Sequence, residues 1–131
     1  MKKNTFILFL SILLSFVSKV QAQNKEVTIS IDTLSNKIFM LTGRGGNIGI
    51  FVGQKNVYMI DDQFANISEK IKASIKTLTN KPISYLVNTH MHGDHTGGNV
   101  NFNSENTTLV AHENVRKRLN KKGKEHLDAK K

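Results

Sequence analysis

The chain has 131 residues, enough for one domain and too few for two. It has no cysteine, which excludes a disulfide framework, a Cys-ligated zinc and a lipid-modified cysteine. The formal charge of +9 misdescribes the domain: residues 24–115 balance at eight basic against eight acidic, and the excess lies at the two ends.

Lys2 and Lys3 precede residues 6–17 (FILFLSILLSFV), an apolar run of 12 residues, and Val20-Gln21-Ala22 offers small residues at the −3 and −1 positions of a cleavage site. This layout predicts a secretory signal peptide over residues 1–22. A membrane-spanning helix needs ~20 apolar residues. The mature chain is therefore expected to be exported, periplasmic or secreted, with no stable membrane insertion after cleavage. Without disulfides, an exported domain must be held by its core or by metal.

Residues 26–31 alternate, with Val27, Ile29 and Ile31 on one side and Thr28 and Ser30 on the other, which predicts a half-buried strand. Leu34-Ser35-Asn36 is turn chemistry, and residues 37–42 (KIFMLT) complete a hairpin. Gly43-Arg44-Gly45-Gly46 reads as a flexible loop. Residues 47–52 and 56–60 are two further strands, joined by Gly53-Gln54-Lys55. After Asp61-Asp62 the period changes: Ile67, Ile71, Ile75 and Leu78 recur at helical spacing over residues 66–79, with Asn66 or Ser68 as a cap and Asn80 and Pro82 as the stop. Residues 83–89 (ISYLVNT) read as a buried strand, 107–111 (TTLVA) as another, and 112–119 as a helix. Residues 120–131 form a basic tail expected to be mobile. The order is α/β (α+β in its early meander), with local strand pairs first and strands alternating with helices later.

The chemistry is concentrated in His90-Met91-His92-Gly93-Asp94-His95-Thr96-Gly97-Gly98. Four metal-ligand side chains fall within six residues at the end of a strand. His90 and His92 can share one ion, while Asp94 and His95 turn toward a second. Gly93, Gly97 and Gly98 let the backbone bend and approach closely. Imidazole and carboxylate suit zinc when no thiolate is present. A lone histidine at a strand end is usually polar surface, but four such groups together have no structural gain without an ion. Asp61 and Asp62 are either turn residues or supports for that loop.

The H-x-H-x-D-H stretch with its Gly-Gly, together with the strand that ends at Asp61, the helix after it and Ser84-Tyr85-Leu86-Val87-Asn88-Thr89, resembles the N-terminal half of the metallo-β-lactamase superfamily. The resemblance covers about residues 27–119. It implies the N-terminal half of a four-layer αββα sandwich, here a partial domain over residues 23–119, with a dinuclear zinc site at the sandwich edge. It implies His90 and His92 on metal one, Asp94 and His95 on metal two, and Asp94 as the catalytic group orienting a metal-bound hydroxide nucleophile. Hydrolysis of a small-molecule β-lactam, lactone or thioester follows from the same resemblance.

Family members complete both metals with ligands from the second half, which this chain lacks. A complete member holds two Zn2+ ions, so this chain alone is expected to hold one or fewer. His112, at the end of the 107–111 strand, is a candidate extra ligand if that strand runs parallel beside 83–89; its plainer role is opening a helix. His126 lies in the tail. Half a sandwich also exposes one apolar sheet face, so self-association through it is expected. The competing functions are a truncated zinc hydrolase, a non-catalytic and weakly zinc-binding fragment, and an exported module using its basic helix on anionic surfaces. No nucleic-acid partner is expected, because an exported protein rarely meets one.

Overall fold

A computed structural model describes residues 26–104 and 106–128, with side chains to residue 121. The expected signal peptide, residues 1–22, lies outside the described residues. The chain forms β1 (Ser30–Thr33), β2 (Ile38–Thr42), β3 (Ile48–Val52) and β4 (Val57–Ile60), then a 3-10 turn (Ala65–Ile67) running into α1 (Ser68–Leu78). There follow β5 (Ile83–Asn88), two one-turn helices, α2 (Gly93–Thr96) and α3 (Asn99–Phe102), then β6 (Thr108–Ala111) and α4 (Glu113–Asp128).

The six strands make one sheet in sequence order. β1 to β4 pair antiparallel, as short turns allow. β4 to β5 is parallel because the chain crosses over through α1, and β5 to β6 is parallel across the two short helices. The parallel pairing on which an approach of His112 was made conditional is present, with Tyr85 opposite Thr108 and Asn88 opposite Ala111.

The core lies between one sheet face and α1. Leu41, Ile48, Ile50, Val57, Met59 and Leu86 point from the strands, and Ile67 from the 3-10 turn with Ile71 and Ile75 from α1 answer at the spacing the sequence shows. Phe102 from α3 closes the site end of this layer. This is a mixed sheet flanked by helices, the first half of an αββα sandwich.

The first strand differs from expectation. Residues 26–29 do not join the ladder, because the pairing of β1 with β2 begins at Ser30 opposite Thr42. The segment instead runs along α1, where Lys70 Nζ donates to the Val27 carbonyl at 2.8 Å and to Glu26 Oε1 at 2.7 Å. Val27 and Ile29 still pack on the core, so the alternation reported burial correctly and strand pairing incorrectly. Neither foreseen cap closes α1, which has no side-chain cap hydrogen bond. Ser68 Oγ accepts from Asn101 Nδ2 at 3.0 Å and ties α3 to α1.

Candidate metal centre

Both β4 and β5 end at the same sheet edge, where their carboxyl ends meet. Parallel strands place loops there, and in open α/β sheets this is where sites gather. Asp61 follows β4 directly, and Thr89-His90 follow β5. Asp61 (φ 61°) and Gln63 (φ 55°) are both in the left-handed region, so the chain bends sharply between β4 and α1. Such strain persists only where neighbours enforce it, and here the enforcing contacts are visible.

Asp61 is 5% exposed in its side chain and gathers the edge together. Its Oδ1 accepts the Thr89 backbone N–H at 2.8 Å, and its Oδ2 accepts the Thr89 hydroxyl at 2.7 Å. His95 Nδ1 lies 2.8 Å from the same Oδ2. The Thr89 hydroxyl has one proton, which goes to Asp61, so it accepts from His90 Nδ1 at 3.1 Å. That assignment puts the His90 proton on Nδ1 and leaves its Nε2 as a bare lone pair, the form in which imidazole ligates metal.

His90 Nε2 faces His92 Nδ1 at 3.1 Å. Two nitrogens bound to one tetrahedral zinc at ~2.0–2.1 Å stand about 3.3–3.4 Å apart, so this pair fits the edge of such an ion with a small opening. Asp94 Oδ2 and His95 Nε2 stand 3.5 Å apart and fit a second edge. The two pairs adjoin, with the His90 and His95 ring centroids 4.0 Å apart. Among the described residues, however, no group of three or more His, Cys, Asp or Glu side chains could hold one ion. The four predicted residues are brought together, but as two pairs of donors.

The motif is more ordered than a loop. Asp94 and His95 sit on α2, where the His95 and Thr96 N–H groups bond the His92 carbonyl and Thr96 Oγ1 bonds it again at 3.0 Å. Asn88, buried at the end of β5, donates to the His95 carbonyl at 3.3 Å and accepts from Asn99 at 2.9 Å.

The Gly43–Gly46 loop covers this motif and is held in place. Gln63 Oε1 accepts the Arg44 N–H at 3.1 Å and the Gly45 N–H at 3.4 Å, while its Nε2 donates to the Gly46 carbonyl. A Cβ on Gly45 would stand 2.7 Å from the Asp94 Cβ, and one on Gly46 would strike the His95 ring. The two glycines are needed because the backbone lies directly on those side chains. Sequence reasoning missed Gln63 and Thr89. The available signal was a polar residue beside two aspartates at the sharp end of a strand.

Asp62 is fully buried. Its Oδ1 accepts the Gly98 N–H at 2.8 Å and its Oδ2 has no partner. Burial pushes its pKa up to about 7; the Gly98 bond opposes this, the Asp61 charge adds to it and His95 opposes it. His112 opens α4: its Nδ1 accepts the Asn114 N–H at 3.1 Å, and its carbonyl accepts from Val115. The His126 side chain lies outside the described residues.

Residues 41–129 match the family profile described as the metallo-beta-lactamase superfamily. No curated protein matches the chain. Among solved structures it is similar to the metallo-beta-lactamase FIM-1 from Pseudomonas aeruginosa in a mono-zinc form, with a TM-score of 0.66 and 21% identity over 78% of this chain and 50% of that one. It is similar to the DIM-1 metallo-beta-lactamase, at TM-score 0.64 and 20% identity over 75% and 49%. It is also similar to TMB-1, at 0.62 and 18% over 73% and 48%. The chain spans about half the length of each.

Proposed function

Because this chain belongs to the metallo-β-lactamase superfamily, we propose that it carries the first half of a zinc centre of that kind, and that on its own it binds zinc weakly and turns over no substrate. The observation that carries this reading is the pairing of the donors. A zinc ion that does chemistry keeps three protein ligands and an open position. His90 with His92 supplies two, and Asp94 with His95 supplies two.

The residues present divide the work. Thr89 and Asp61 hold the His90 proton on Nδ1 and so keep Nε2 ready to ligate. His92 presents Nδ1, which must give up its proton to Nε2 before it ligates. Asp61 and the Gly43–Gly46 backbone clamp the His95 ring from two sides. Asp94, with 39% of its side chain exposed, is the group at the solvent boundary that would orient an attacking oxygen. Zinc in this setting would supply Lewis acidity that polarises a substrate carbonyl. Export through residues 1–22 belongs to the same proposal, and a small-molecule substrate to the competent hydrolase considered below.

Titration of the metal-free chain with zinc against a chromogenic chelator should show no more than one ion per chain, lost in His90→Ala and in His92→Ala. A panel of β-lactam, lactone and thioester substrates should show no hydrolysis beyond that of free zinc. The family match favours a second reading, a competent hydrolase. Turnover by this chain that disappears with chelator and in His92→Ala would establish it and displace the first.

A further inference from the structure

A loop over a metal centre can swing to close on a ligand, or it can stand as a fixed wall. How Gln63 is tied decides between the two for the β2–β3 loop over Asp94 and His95. The main chain at Gln63 belongs to the motif: its carbonyl accepts the Gly98 N–H at 2.9 Å, and the N–H of its neighbour Asp62 donates to the His95 carbonyl at 3.0 Å. The Gln63 side chain belongs to the loop, through Arg44, Gly45 and Gly46. One residue therefore fastens loop and motif to each other. The task needs an amide. Oε1 meets two N–H donors and Nε2 meets a carbonyl, so the partners fix which end is oxygen. A carboxylate would lack the donor, and a thioether would lack both functions.

Gln63 is fully buried, so swinging the loop away would leave its amide and three backbone groups without these partners. The space under the loop is also filled. A Cβ on Gly45 would stand 3.0 Å from the Phe64 ring, and one on Gly93 would stand 3.9 Å from it, so that ring lies against both loop and motif. At Gly45 and Gly46 the loop backbone is already in contact with Asp94 and His95, which leaves no room there for a ligand. We propose that Gln63 is a positioning residue that locks the β2–β3 loop as a fixed wall over Asp94 and His95. A ligand then reaches the centre from the side of His92, which is exposed, and no closing step follows its arrival. The His95 side chain, behind the wall, is 19% exposed. The lock contains no metal and stands whether or not the chain holds zinc.

The full chain in chelator tests the lock without any ion. The Gln63 side-chain amide protons should exchange with water at least a hundredfold more slowly than those of Gln54, which is exposed. The Gly45 and Gly46 amides should be as rigid as those of β2 and β3, with order parameters of about 0.85. Gln63→Met keeps the side-chain length and removes all three bonds. It should drop those two amides below about 0.6 while the His90 and His92 ring resonances stay where they were. Diethyl pyrocarbonate, with the modified residue located by tandem mass spectrometry, should label His92 at least tenfold faster than His95 in the parent. That ratio should shrink at least threefold in Gln63→Met. A Gln63 that served only the core would lower the urea midpoint and leave the labelling ratio unchanged, and that result overturns the proposal. So does a Gln63 amide that exchanges like Gln54, or a parent loop already below about 0.6. If Gln63→Met fails to fold, the exchange and order measurements on the parent decide by themselves.

Discussion

At the residue scale the site edge is built from buried polar groups, each with a specific debt. Gln63 is fully buried and is held at a left-handed φ, yet its amide makes three bonds to the loop over His95. Gln63→Ala should release the Gly43–Gly46 backbone, leave its N–H groups without that partner and cost about 1–3 kcal/mol. Faster amide exchange confined to residues 43–46, with the α1 amides unchanged, would verify it; uniform acceleration would mean that Gln63 is only a core residue. Asp62 carries a different debt. Its folded pKa of about 7 lies above the ~3.9 of an unfolded aspartate. Between those values the folded chain holds a proton that the unfolded chain has lost, so stability falls as pH rises from about 4 to 7 and is level above. Asp62→Asn keeps an oxygen for the Gly98 N–H and carries no charge. In chelator it should lack that slope and exceed the parent by on the order of 2 kcal/mol at pH 8. Urea unfolding at pH 4.5 to 8 reads the difference, and parallel curves for the two proteins would rule the assignment out.

At the element scale, what was legible was whatever depends on local period. The helix at residues 68–78 was visible in the Ile67, Ile71, Ile75 spacing, and the strands at 38–42, 48–52, 57–60, 83–88 and 108–111 in their apolar runs. Ile71 is fully buried in that stripe, so Ile71→Ala should cost about 2–5 kcal/mol, whereas exposed Lys76→Ala on the same helix should stay within about 0.5 kcal/mol. Similar unfolding midpoints for the two would contradict a core built on one helix face. Elements set by distant partners were not legible. Residues 26–29 alternate like a strand but find Lys70 instead of a ladder. Asp94 and His95 lie on a one-turn helix because the His92 carbonyl collects three donors, which no periodicity announces. The ligand quartet was legible by composition alone. The Thr89–Asp61 relay that fixes the His90 tautomer joins residues 28 apart in sequence, a separation no local pattern bridges.

At the scale of the whole molecule, the described residues set one layer of helix on one face of a sheet, a thin core in which a few kcal/mol weigh heavily. The candidate metal centre then matters for folding as well as for chemistry, because it joins the ends of β4 and β5 to the β2–β3 loop through Asp61, His95 and Gly46. Any ligand that binds only the folded chain stabilises it by mass action, about 2.7 kcal/mol at one hundred times its dissociation constant. For a domain near 100 residues each kcal/mol moves the melting temperature by roughly 4–8 °C. Zinc at that excess should therefore raise the melting temperature by about 10–20 °C. Chelator should reverse the shift, and magnesium, which prefers six oxygen ligands, should not produce it. His90→Ala should melt at the same temperature with and without zinc. If saturating zinc leaves the parent chain's melting curve where it was, the four motif side chains do not hold an ion in the folded state, and their convergence at this edge serves only the hydrogen bonds described above.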